Sequence, residues 1–238
     1  MNNKIITLTA LSVLATILLA GGAFAALNFD GQSGVFLNAL AYPLAPSTSE
    51  VSSHTVDMDS LGTVSTYNFG IGLKKNVELG FTRIASNVTG VRDQNLILAK
   101  WQFAAETKKA PAVSVWTIHR SLIGGSSDTD LGLSATKVVT VAKRALILDL
   151  GVRSTKALGL GLFGIGNSRE TKLEGSAAIF VTSKFIAGTE FKQQIGVRAW
   201  HDVAFRYIVN NNLNIDAGIA NFNSALDNQA AVALTYKL

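Results

Sequence analysis

The chain has 238 residues and no cysteine, with 21 Lys and Arg against 16 Asp and Glu, a formal charge of +5. Without cysteine it can hold neither a disulfide framework nor a thiolate metal site. The basic residues are scattered rather than clustered, which argues against a nucleic-acid surface and against nucleic acid as a partner.

Met1 to Ala25 carries one basic residue, Lys4, then an apolar run from Ile5 to Leu19, then small residues ending in Ala23-Phe24-Ala25. This is the pattern of a secretory signal peptide over 1–25, with cleavage expected between Ala25 and Ala26. No cysteine follows, so no lipid anchor is expected. Loss of Lys4 leaves 20 basic against 16 acidic residues, a formal +4 over a single domain, 26–238. Beyond the signal no run of about 18 apolar residues occurs, so a membrane location must come from strands, and only a closed barrel satisfies every backbone group in lipid.

Taken in order, residues 33–42 predict a first strand and the polar stretch 43–62 a loop. Tyr67, Phe69, Ile71 and Leu73 alternate with Asn68, Gly70 and Gly72; after 74–76, Val77, Leu79 and Phe81 alternate with Glu78, Gly80 and Thr82. Two such runs about a short polar turn predict a β-hairpin. Further strands are expected near 95–104, with Ile97, Ala99, Trp101 and Phe103 on one face, then at 112–122 and 131–140. At 145–153 Leu146, Leu148, Leu150 and Val152 oppose Ile147, Asp149, Gly151 and Arg153. Strands at 171–181, 185–192 and 199–209 follow, and a second hairpin turns at Asn210-Asn211-Asn212. Pro43, Pro46 and Pro111 all fall in loops or at strand edges, as a sheet requires.

The last stretch, Gln229 to Leu238, places Ala230, Val232, Leu234, Tyr236 and Leu238 on one face. A final strand with an aromatic near its end resembles the closing strand of bacterial outer-membrane β-barrels, which seals the barrel and is read by the outer-membrane insertion machinery. The count is about twelve strands, most near the 9–11 residues that cross a membrane at a tilt. Joins after odd-numbered strands come to roughly 20, 9, 8, 17, 6 and 6 residues, and after even-numbered strands roughly 3, 7, 4, 3 and 3, the segregation of outer-membrane barrels. The predicted fold is all-β, an antiparallel transmembrane β-barrel; the alternative is a soluble β-sandwich.

Several segments carry a family resemblance: Gly161-Leu162-Phe163-Gly164-Ile165-Gly166-Asn167, Leu173-Glu174-Gly175, Phe180-Val181-Thr182, Gly188-Thr189-Glu190-Phe191-Lys192 and Trp200-His201-Asp202-Val203-Ala204-Phe205. Over roughly the last third of the chain these resemble a bacterial outer-membrane β-barrel family described only as a domain of unknown function. Gly31 to Pro43 is similar to the glycine-rich opening of barrels linked to exopolysaccharide export, with Asn38-Ala39 where those carry Thr-Pro or Ser-Pro. Neither resemblance implies a catalytic residue.

No metal-binding spacing is present, no glycine pair opens a helix as a dinucleotide loop must, and no cofactor is expected. His54 is read as a solvated loop residue. His119 and Ser121 share a face, but at about 7 Å along a strand they are too far apart for a Ser–His hydrogen bond. His201 and Asp202 point to opposite faces. If apolar faces meet lipid, the lumen receives Glu78, Lys100, Asp149, Arg153, Lys172, Glu174, Glu190, Lys192, Asp202, Arg206, Asp216 and Lys237, six acids and six bases. Glu190 with Lys192, and Lys172 with Glu174, are spaced for pairing along a strand. The barrel-closing positions are Val232, Leu234, Tyr236 and Leu238. The expected role is an outer-membrane barrel with lipid around it, conducting a small solute through a narrow channel or serving as a structural part of the envelope or of an export system. An outer-membrane lipid-modifying hydrolase and a secreted β-sandwich binding module are the alternatives.

Overall fold

The computed structural model describes residues 26–58, 62–74, 76–196, 199–221 and 229–238; the signal-peptide expectation for 1–25 lies outside them. Twelve antiparallel strands close into a barrel. They are β3 (Ser49–Asp57), β4 (Thr63–Leu73), β5 (Val77–Ser86), β6 (Gln94–Ala104), β7 (Ala112–Leu122), β8 (Ser127–Val141), β9 (Arg144–Ala157), β10 (Ile165–Phe180), β11 (Phe185–Lys192), β12 (Trp200–Ile208), β13 (Leu213–Asn221) and β14 (Gln229–Lys237). Each pairs with its neighbours in sequence, and β14 pairs with β3 to close the ring. Closure leaves no unpaired strand edge, which lipid does not tolerate.

Period-two alternation decides what each face meets. Ile97, Leu150, Ile219 and Val232 are more than half exposed, while inward neighbours such as Leu96, Leu98, Asp149 and Arg153 are almost wholly buried. An outer wall of exposed Leu, Ile, Val, Phe, Tyr and Trp on a closed barrel is the surface a membrane covers. Val232, Leu234, Tyr236 and Leu238 belong to it.

The first strand lies later than the alternation at 33–42 suggests. Residues 26–48 form no wall strand; they fold inside the barrel as a plug. Within it β1 (Ala26–Leu27) and β2 (Ser33–Gly34) pair with each other, and Gly34 bridges Ala39. Most of the plug's apolar positions before residue 45 are buried whichever way they point, because the lumen surrounds them: Leu27, Phe29, Phe36, Leu37 and Leu40 are all nearly inaccessible. The wall strand is instead Ser49–Asp57, inside the stretch expected to be a loop. Its inward face is Glu50, Ser52, His54 and Val56, polar because it meets the plug rather than an oily core, so hydrophobic periodicity is absent there. The strand count survives because one false strand is replaced by one missed strand.

The connections also differ. β9 and β10 extend to Ala157 and from Ile165, so the long join expected at 154–170 shrinks to 158–164, and the one expected at 43–62 shrinks to 58–62. At the end of the barrel that bears Ser49 and Leu238 the turns cover 74–76, 105–111, 142–143, 181–184 and 209–212. The tightest uses Ala142 and Lys143, both at positive φ, the geometry of a two-residue hairpin turn matched to strand twist.

The β14–β3 seam includes the Tyr236–Val51 and Lys237–Glu50 pairs and the bond from Leu238 N to Ser49 O. Deleting Tyr236 to Leu238 leaves backbone groups of β3 and β13 unpaired at the seam, each costing several kcal/mol in lipid. The truncated protein should be lost from the outer membrane, as read by heat-modifiable gel mobility after membrane fractionation.

Candidate functional site

The lumen is the site, and the plug fills it. Internal bonds give the plug its shape, among them Phe29 N to Phe36 O (2.9 Å), Asn28 Nδ2 to Leu37 O (2.9 Å) and Gln32 N to Asn28 Oδ1 (2.9 Å). Gly31, at φ 86°, makes the reversal between the two short strands, a conformation that favours glycine. These bonds leave many backbone groups over, and a buried backbone group without a partner costs about 1–3 kcal/mol. The wall supplies the partners.

Near the terminus-bearing end, the Glu78 carboxylate accepts from Ser33 N and Leu44 N, both at 2.8 Å, and so clamps two separate points of the plug. Lys100 Nζ donates to Ser33 O and Oγ, both at 2.7 Å, and lies 3.8 Å from Glu78. Arg206 holds Asp216 through two bonds of 2.8 and 2.7 Å and donates to Val35 O at 3.2 Å. Thr136 receives Ala41 N at 2.6 Å and donates to Asp149. At the mouth Tyr42 donates its hydroxyl to Glu106, which Lys137 pairs at 3.1 Å. Burial, then the Glu106 hydrogen bond and charge, push the Tyr42 phenol up, so it remains a donor.

Midway, Glu190 accepts from Leu37 N (2.6 Å) and Asn38 N (3.3 Å), and the Asn38 amide donates to Gly175 O (2.8 Å) and Phe191 O (3.0 Å). His54 bonds Leu27 O through Nε2 at 2.9 Å. It is fully buried between the rings of Phe29 and Phe36, not solvated in a loop. Room for these rings comes from the wall: Ala178, Gly188, Ala204, Gly218 and Ala231 are successive cross-strand partners from β10 to β14, a row of small residues on one level. Opposite, Leu27 lies over Gly70, where an added Cβ would come within 2.7 Å of it, and the backbone at 44–45 lies against Gly72.

Toward the far end, Asp30 meets Lys192 (3.1 Å) and Arg120 (3.9 Å), with Arg153 also acting on it. Burial opposes its ionisation, but these three cations outweigh burial and hold the carboxyl below its ordinary 3.8. Its contribution to docking is therefore complete above that pH and is lost as pH falls through the lowered value. Residues 158–164 fold over this end: Leu160 and Leu162 are buried, Arg92 N donates to Leu162 O at 3.3 Å, and a Cβ on Gly161 would meet Arg120 Cδ at 2.5 Å.

Of the twelve lumen positions named from the sequence, ten are buried in the barrel and Lys172 and Lys237 are only partly so, near its ends. Glu190 and Lys192 do not pair with each other; Glu190 binds plug amides and Lys192 binds Asp30. Lys172 pairs with Glu170 at 2.6 Å, and Glu174 lies 3.7 Å from Lys192. Asp202 is the cross-strand partner of Glu190, so two buried carboxylates sit side by side. Sequence reasoning missed Glu50, Asp130 and Arg120 on the wall and Asp30 on the plug. Arg120 was within reach: it lies between His119 and Ser121, so if those face out it faces in. Counting these, nine buried carboxylates face five buried Lys and Arg among the described residues, rather than an even balance. On the outer wall, His119 Nδ1 lies 3.0 Å from Thr129 Oγ1, and His201 is exposed while Asp202 is buried. No group of three or more His, Cys, Asp or Glu among the described residues could hold a metal ion.

Asp30→Ala removes the plug's one carboxylate and leaves Lys192 with Glu174 at 3.7 Å and the Leu37 carbonyl, and breaking one side of a buried pair costs up to about 3–5 kcal/mol. The variant plug should undock, so limited proteolysis of the folded protein should cut within 26–48 while the barrel stays intact.

Comparison with known proteins finds the same wall elsewhere. The KdgM porin superposes with a TM-score of 0.57 at 12% identity, covering 80% of this chain and 97% of that one. The same porin in complex with disordered oligogalacturonate gives 0.56 at 10%, covering 79% and 97%. An outer-membrane channel from Pseudomonas putida F1 gives 0.50 at 8%, covering 83% and 97%. Among curated proteins no sequence matches. The barrel is thus an outer-membrane β-barrel in fold, with the apolar belt that such a location requires. A family model matches residues 63–236, and the chain belongs to that family, Protein of unknown function (DUF3034).

Proposed function

We propose that the protein is an outer-membrane channel held shut by its own N-terminal segment, opening a narrow aqueous path when that segment leaves. The carrying observation is that the plug is bound to the wall by side chains, not built into it: Glu78, Glu190, Lys100, Lys192 and Asn38 make contacts that can be exchanged for water. A barrel of twelve strands lies between small barrels filled by side chains and 16–18-stranded porins with open lumens, so removing a plug of this size opens a path. The short-turn end, where the chain enters β3, faces the periplasm in this reading. The similarity in fold to a porin and to a channel supports passage over a purely structural role. The hydrolase alternative has less support, because His119 bonds Thr129 and not Ser121. Emptied, the wall presents eight buried carboxylates and five buried Lys and Arg among the described residues, which favours small cations or cationic solutes over anions.

Planar-bilayer recording tests this. The unmodified protein should show rare, small openings, and Lys192→Ala with Arg206→Ala should lengthen and enlarge them. In a salt gradient the reversal potential of those openings should favour cations. A steady, large conductance from the unmodified protein contradicts the reading.

A further inference from the structure

Two cations act on Glu50: Arg206, and its cross-strand partner Lys237 at the partly exposed rim. Glu50 is 4% exposed, its Oε2 has no hydrogen-bond partner, and Arg206 is already held by Asp216 through two bonds. With nine buried carboxylates and five buried Lys and Arg among the described residues, a carboxylate left without a close ion pair here is costly.

The plug's first described residue sits at the same place. Ala26 is fully buried and pairs with Gly34, which lies between Ser33, held by Glu78, and Val35, held by Arg206. Arg206 and Glu78, with Lys237, are also the charged neighbours that act on Glu50. The next residue, Leu27, lies over Gly70, and Gly70 is the direct cross-strand partner of Glu50. Leu27 O is bonded by His54, further along the same inward face of β3 from Glu50 through Ser52. The chain from Leu27 to Asp30 then runs away from the mouth, toward Lys192. Ala26 therefore lies at the level of Glu50.

We propose that removal of residues 1–25 creates an α-ammonium on Ala26 that pairs with Glu50, an internal site for the chain's own amino terminus that latches the plug. Hydrolysis of the Ala25–Ala26 amide places hydroxyl on the Ala25 carbonyl carbon and hydrogen on the Ala26 nitrogen. That amine, with an ordinary pKa of about 7.7–8.0, takes a proton from solvent at neutral pH. The interior gains one cation beside a carboxylate whose other cations are Arg206, already held by Asp216, and Lys237 at the rim. Before cleavage the same nitrogen is an uncharged amide, so the latch forms only on maturation. The proposal rests on the cleavage expected after Ala25 and not on the channel reading.

The test is reductive dimethylation of the purified mature protein, folded in detergent and unfolded in urea, quantified by peptide mass spectrometry. Exposed Lys74 and Lys108 serve as internal controls. The Ala26 α-amine should react about tenfold or more slowly in the folded protein, and Glu50→Gln should remove most of that protection. Labelling of folded Ala26 as fast as Lys74, protection unchanged in Glu50→Gln, or a mature mass starting at another residue each overturns the proposal. The comparison of folded and unfolded native protein stands even if the variant does not fold. Conductance of the same sample is a separate readout that judges the channel reading alone.

Discussion

An irregular segment sealed inside a closed sheet has backbone donors and acceptors that neither water nor the sheet can satisfy. That constraint shapes the interior. The wall strands spend their own amides on each other, so only side chains can reach inward, and they must be acceptors where the plug shows N–H and donors where it shows C=O. Glu78 and Glu190 each accept two plug amides; Lys100, Lys192, Arg206, Asn68 and Asn38 serve carbonyls of plug or wall. At Glu78, Glu190, Lys100, Lys192 and Arg206, charge in this lumen is therefore a means of hydrogen bonding an otherwise costly backbone.

Shape follows the same logic. Phe29, Phe36 and Trp200 need depth, with Phe29 and Trp200 rings 6.2 Å apart. The row of Ala and Gly from β10 to β14 provides that depth on one side, while Gly70 and Gly72 let the plug's backbone approach β4 on the other. Apolar packing and polar bonding share strands: Gly188 and Glu190 stand on β11, Ala204 and Arg206 on β12. Packing joins the Glu190, Asn38 and His54 bonds at the plug's middle, and ion pairs and hydrogen bonds hold its two ends. A segment fixed by exchangeable side-chain contacts can leave without disturbing a wall whose strands pair with each other.

The wall was legible in the sequence wherever one face met lipid. Ile97, Trp101, Leu148, Leu150, Val232 and Tyr236 announce their strands because lipid demands apolar side chains at every second position. β3 was not legible for a physical reason: its inward face is Glu50, Ser52 and His54, and of its outward residues only Val51 is strongly apolar. The plug was misread for the converse reason. Val35, Leu37 and the residues around them alternate well enough to pass as a strand, yet hydropathy cannot distinguish burial against lipid from burial in a lumen. The inward charges of β9, β11 and β12 followed from parity alone. Their partners did not, since Asp30 lies 162 residues from Lys192 and no local spacing encodes that pair.

The central claim is that residues 26–48 are a folded part of the interior rather than a leader hanging from the barrel. Amide hydrogen exchange on the folded protein measures this directly. Ser33, Leu37, Asn38, Ala41 and Leu44 donate to wall side chains and should exchange slowly, on the scale of the barrel strands. Exchange of these five amides at the rate of an unstructured peptide, beside a protected wall, would contradict the account.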